Sequence, residues 1–131
     1  MQGRVEWREG SKAIGINSRG QELEFDWNDG PSPMQVTLQM VGMCSMVDVV
    51  EGLKQRSFSE VWVDLDSERA EEKPRSFTAI SMVYNVRGDV PQKLVERIVQ
   101  KSHEKYCSVS NTFNEKVEFS WTVKIHPESD A

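Results

Sequence analysis

Residues 31–56 read PSPMQVTLQMVGMCSMVDVVEGLKQR, the longest apolar run in the chain and the home of one of its two cysteines. The run opens as a helix. Ser32 can cap, Pro33 fits the first helical position, and Gln35 stands three residues after the cap, a Ser-x-x-Gln capping box. From Met34 onward apolar side chains occupy 34, 36, 38, 40, 41, 43, 44, 46, 47, 49, 50 and 53. At about 100° per residue these positions cover most of the circumference, which predicts a helix buried on nearly all sides. Thr37, Gln39, Ser45, Asp48 and Glu51 interrupt the run too often for a membrane span. Lys54 and Arg56 suit the negative end of the helix dipole. The prediction is a central helix of about 23 residues, some 35 Å long. Cys44 lies near its middle, sharing a face with Thr37, Met40, Val41, Asp48 and Glu51. A thiol so placed is either an inert core residue or a reactive group facing a pocket.

With 131 residues, the chain is expected to form a single domain over 1–131. A charged fraction of 28% with 37% hydrophobic residues is that of a globular protein. The net charge of −5 offers no basic stripe to offset phosphates, so nucleic acid is not an expected partner. The opening MQGRVEWREG has no apolar core of a secretory signal, and two cysteines are too few for a disulfide scaffold. A reducing, cytoplasmic setting is expected. Four of the six methionines fall between 34 and 46, flexible fillers suited to core packing or to an adaptable apolar cavity.

Around the helix the pattern alternates. Residues 4–8, 12–17 and 21–27 read as a three-strand meander, with turns at 9–11 and 18–20. After the helix, Val61, Val63 and Leu65 line one strand face, and Ile80, Met82, Tyr84 and Val86 line another. The charged connection 67–74 fails as a calcium loop, because Arg69 and Arg75 stand where the loop needs glycine and glutamate. A second helix from Pro91 to about Tyr106 carries the stripe Leu94, Val95, Ile98, Val99 and Ser102, and Cys107 follows it. Residues 108–111 are expected to cap a short helix through Asn114. Residues 117–125 alternate as a strand, and 126–131 read as a frayed tail. The order is β-β-β-α-β-β-α-(α)-β, an α+β domain with antiparallel sheet. Wrapping so long a helix calls for a second copy of the chain, an intertwined homodimer.

Most chemistries drop out. His103 and His126 have no ligand spacing to a cysteine or to each other, so no metal is expected, and each reads as a surface residue. No phosphate-binding glycine pattern or serine elbow is present. No cofactor is expected. The cysteine pair remains. A helix start after Cys107 would favour its thiolate, and Asp48 one turn from Cys44 would oppose a thiolate there.

The segments 31–34 and 42–50, together with 67–69, 74–77 and Glu104-Lys105-Tyr106-Cys107-Ser108-Val109, resemble the OsmC/Ohr superfamily, closest to its YhfA-like branch. The resemblance runs end to end and places both cysteines. It implies an intertwined homodimer with the long central helices meeting, and a thiol peroxidase acting on organic hydroperoxides. Cys44 would be the peroxidatic thiol and Cys107 the resolving one, recycled by a dithiol reductant such as a lipoylated protein or a small thiol. Met34, Met40 and Val41 would line the substrate pocket. Catalytic members of the family pair an arginine from the meander with a glutamate upstream of the first cysteine; here the upstream positions are Met34 and Gln35, neither acidic. Cationic support would fall to Arg19 or Arg69. Two further readings stay open: a non-catalytic or ligand-binding dimer with redox-responsive or structural cysteines, and a simple interaction protein.

Overall fold

In the computed structural model, which describes residues 1–113 and 115–128, the chain runs β1 (Gly3–Glu9), β2 (Lys12–Asn17), β3 (Glu22–Asp26), α1 (Pro33–Gly52), β4 (Ser57–Arg69) and β5 (Phe77–Asp89). It continues through α2 (Gln92–Lys101), a π-helical turn (Ser102–Tyr106), α3 (Ser108–Thr112) and β6 (Glu118–His126). This is the α+β order read from the sequence. Two units are distinguished, Met1–Thr37 and Leu38–Ala131.

In the first unit β1, β2 and β3 form an antiparallel meander, with Arg4 opposite Ile16 and Ile14 opposite Glu24. Asp26 ties off its end. One carboxylate oxygen accepts from the Ser11 hydroxyl at 2.6 Å and from the Asn28 and Asp29 amides at 3.0 Å each. These donors, Ser11 first, hold the carboxyl below its usual pKa. The capping box forms as the sequence specifies. The Gln35 amide donates to Ser32 Oγ at 3.3 Å, and the Ser32 amide donates to Gln35 Oε1 at 2.9 Å.

The second unit is built on β5, the middle strand of the order β4-β5-β6. Its inward stripe Ile80, Met82, Tyr84 and Val86 is at most 1% exposed. Val41, Ser45 and Val49 of α1 and Leu53 just after it, spaced four apart, are equally buried, as are Val95 and Val99 of α2. The helix approaches closely where it has no side chain: a Cβ on Gly42 would meet Leu65 at 3.1 Å, and one on Gly52 would meet Ile98 at 2.7 Å.

Several expectations need correction. β4 pairs antiparallel with β5, but β6 joins β5 in parallel, so this sheet is mixed. The helices after β5 return the chain to the same end of the sheet, which is the crossover a parallel neighbour requires. Helix α1 stops at Gly52 after 20 residues. Glycine resists helix, the next amides slip to i−3 carbonyls, and Lys54 pairs with Glu51. Nor is α1 covered on nearly all sides, since Met40 (37%), Met43 (49%) and Val47 (48%) are exposed. One sheet and one helix can cover only one face. The second helix ends its α geometry at Lys101 and finishes as the π turn. His126 belongs to β6, stacked on Trp62 with centroids 5.0 Å apart and bonded to Asn85 Oδ1 at 2.9 Å. Asn114 and residues 129–131, the expected helix end and the rest of the expected tail, lie outside the described residues. No helix among the described residues is long and apolar enough to cross a membrane.

Candidate functional site

Two elements carry the thiols together. Cys44 sits half-buried in the middle of α1, and Cys107 is fully buried at the end of the π turn. The turn is closed by the Cys107 amide donating five residues back to the Ser102 carbonyl at 2.6 Å. Its wider pitch faces Ser102 toward α1, where the hydroxyl donates to Asp48 Oδ2 at 2.6 Å, and His103 toward β5. Asn111 holds the turn from outside, its amide nitrogen donating to the carbonyls of His103 (3.0 Å) and Cys107 (2.9 Å). Cys107 itself caps α3, its sulfur accepting from the Ser110 amide at 3.3 Å. The Cys44 side chain is close enough to act on the Cys107 thiol, and both are free thiols.

Behind the thiols runs a chain of polar side chains in an otherwise apolar core. The Tyr84 hydroxyl is 2.6 Å from Ser45 Oγ and 2.7 Å from His103 Nε2. Ser45 donates to the Val41 carbonyl at 2.9 Å. On its other edge, His103 Nδ1 is 3.2 Å from Ser110 Oγ. Among the described residues no buried side-chain nitrogen or oxygen lacks a partner.

The electrostatics follow from burial. Burial pushes the Cys107 thiol up, against the lowering effect of the Ser110 hydroxyl and amide, and the Cys44 side chain adds to the rise. The helix start after Cys107 therefore does not deliver the thiolate expected there, because one amide and one hydroxyl do not offset desolvation. Burial likewise drives the Tyr84 phenol well above its ordinary value, helped by the negative charge of Cys107, Asp48 and Cys44 and opposed by Ser45. It pulls His103 below 6.5 against the charge of Asp48. Among the described residues, no lysine or arginine is a leading influence on these three groups.

The remaining anticipated residues fall in both units. Arg69 lies exposed at the end of β4, its Nε donating to the Arg75 carbonyl at 2.9 Å. Arg19 is exposed in the β2–β3 turn of the first unit, where Met34 also belongs. Met40 faces outward and Val41 is wholly in the core, so they do not share an environment with each other. Tyr84, His103, Ser45, Ser102 and Ser110 were not anticipated as site residues. One sign was available: His103 follows Val95 and Val99 at four-residue spacing, on the buried stripe and not on the surface.

The profile of the family described as OsmC-like protein matches residues 26–122, a span that includes both cysteines, Tyr84 and His103. The chain belongs to the OsmC-like family. Among its OsmC-like relatives, Protein YhfA of Escherichia coli (strain K12) is 38% identical over 131 positions, covering 95% of this chain and 98% of that one. A hypothetical protein from Aquifex aeolicus VF5 superposes with a TM-score of 0.82 at 29% identity, over 95% of this chain and 96% of that one. The organic hydroperoxide resistance protein OhrB of Bacillus subtilis shares the OsmC-like fold at 18% identity, with a TM-score of 0.64 over 95% of this chain and 98% of that one.

Proposed function

We propose that this OsmC-like chain is a thiol-dependent peroxidase that reduces organic hydroperoxides through Cys44 and Cys107 in a cytoplasmic setting. The observation that carries the reading is that a half-exposed thiol and a buried one, from distant parts of the chain, come close enough for one to act on the other. Cys44 is reachable by a substrate, and Cys107 is not. As thiolate, Cys44 attacks the distal peroxide oxygen; the O–O bond breaks, and the alkoxide takes a proton to leave as alcohol. The resulting sulfenic acid loses its oxygen as water when the Cys107 sulfur closes the disulfide. A dithiol, such as a lipoylated protein or a small thiol, then reduces that disulfide by exchange. Exposed Met40, Met43 and Val47 give α1 an apolar outer face suited to the same helix of a second copy, so the working unit is a homodimer. Arg19 and Arg69, both exposed, are kept as cations a partner could supply.

A second reading has one observation in its favour. Burial leads the influences on the Cys107 thiol and raises it, and no guanidinium stands among the leading ones to offset that. On that ground the family member would bind a ligand, or respond to redox state, without turnover. Cumene hydroperoxide consumption with a dithiol reductant separates the two. Turnover should be present in the wild type, lost in Cys44→Ser, and reduced to a stoichiometric burst in Cys107→Ser. Activity that is absent, or that survives Cys44→Ser, sinks the peroxidase reading.

A further inference from the structure

The buried polar chain has a direction. Ser45 has one proton and a carbonyl waiting for it, Val41 O at 2.9 Å, so at 2.6 Å it accepts from the Tyr84 hydroxyl. With its proton committed, Tyr84 can only accept from His103 Nε2 at 2.7 Å. The imidazole is then the Nε2–H tautomer, and its Nδ1 presents a bare lone pair to Ser110 Oγ at 3.2 Å. Ser110 is free to donate there. The Cys107 carbonyl, its other acceptor at 3.3 Å, already takes the Asn111 side-chain amide at 2.9 Å and the Asn111 backbone amide at 3.1 Å. The same hydroxyl acts on the Cys107 thiol, whose sulfur accepts from the Ser110 amide at 3.3 Å. Sulfur, hydroxyl and imidazole are therefore in series.

We propose that His103 acts through the Ser110 hydroxyl as the proton acceptor that frees the Cys107 sulfur to close the Cys44–Cys107 disulfide. The inference rests on the thiol pairing proposed above and adds to it the step that a buried, protonated Cys107 cannot perform alone. The thiol proton passes to Ser110 Oγ as the serine proton passes to His103 Nδ1. The sulfur attacks the Cys44 sulfur, the S–S bond forms, and the group on Cys44 leaves with its bonding pair: hydroxide from a sulfenic acid, which takes the proton and departs as water, or thiolate from a mixed disulfide. Tyr84 and Ser45 fix the tautomer, and His103 is a positioning residue because it reaches the sulfur only through Ser110. A cleft of about 300 Å³ lined by His103, Ser110, Phe113, Glu115 and Phe119 gives the imidazole an outlet for the proton. The titratable groups around His103 are Asp48 on α1, Tyr84 on β5 and Glu115 at the cleft, with Cys107 beyond Ser110. Burial keeps its imidazole neutral, hence basic at Nδ1, from neutral pH upward.

The test needs no peroxide. Reduced protein treated with 5,5′-dithiobis(2-nitrobenzoate) forms a mixed disulfide at the accessible Cys44, releasing one thionitrobenzoate; closure by Cys107 releases the second. In the wild type the second release should be rapid and level with pH from neutral upward, breaking downward only below about 6.5. His103→Gln and Ser110→Ala should leave the first release unchanged, slow the second at neutral pH by about 100-fold, and make it rise with hydroxide. Ser110→Thr, which keeps the hydroxyl, should restore it. A wild-type second release that climbs continuously toward the thiol range overturns the proposal without any variant, and so does a His103→Gln protein that closes as fast as wild type. Failure of the cumene hydroperoxide assay with a His103-dependent second release would remove the peroxidase reading and leave the relay standing.

Discussion

His103 and Asp26 are two residues whose ionisation ties folding to pH on the acidic side of neutral. His103 is held below 6.5 by burial, so as pH falls through 6.5 the unfolded chain takes up a proton that the folded chain refuses. Its contribution to stability is present above 6.5 and is lost toward the lower folded value. Thermal melts should therefore fall across that window, and His103→Gln should flatten the fall. Asp26 has its folded pKa lowered from 3.8 by the Ser11, Asp29 and Asn28 donors, so its contribution is full above that value and vanishes as pH drops through the folded one. Asp26→Ala should melt below the wild type at pH 7, with the gap closing at strongly acidic pH. The residue scale was the hardest to read in advance. A histidine and a serine carry no sign of burial in their own chemistry, and only the spacing of His103 from Val95 and Val99 pointed inward.

At the scale of elements, glycines separate approaches that can yield from approaches that cannot. A Cβ at Gly88, in β5, would stand 2.6 Å from both Phe58 Cα and the Ser57 carbonyl, which are backbone atoms of the paired strand. At Gly42 it would meet only the tip of Leu65, at 3.1 Å. Gly88→Ala should thus cost the ~1–3 kcal/mol of overpacking or more. Gly42→Ala should stay near neutral, since the gain in helix propensity of about 1 kcal/mol offsets a rotation of Leu65. Chemical denaturation of both variants measures the difference. The start of α1 was legible because a capping box is local, four residues satisfying one another's amides. The end of α2 was not: the π turn is held by Asn111 and Asp48, contacts from outside the helix.

For the whole molecule the open question is the outer face of α1. Met43 and Val47 are about half exposed, on a helix whose opposite face is fully buried. With a second copy proposed to cover it, the wild type should sediment as a dimer, and Val47→Lys should drive it toward the monomer by placing a charge in an apolar contact. A wild-type species of about 15.0 kDa contradicts the dimer outright.

The amino-acid sequence by itself determined the order of elements, the opening of α1 and the inward stripe of β5, because periodicity and capping depend on neighbours a few residues apart. Through its resemblance to a known family it also singled out Cys44 and Cys107. Only the tertiary structure decided that Cys44 comes close enough to act on Cys107, that burial raises Cys107 despite the helix it caps, and that Ser45, Tyr84, His103 and Ser110 form one hydrogen-bonded series. Desolvation and long-range hydrogen bonds depend on which distant segments pack together, and no local pattern records that.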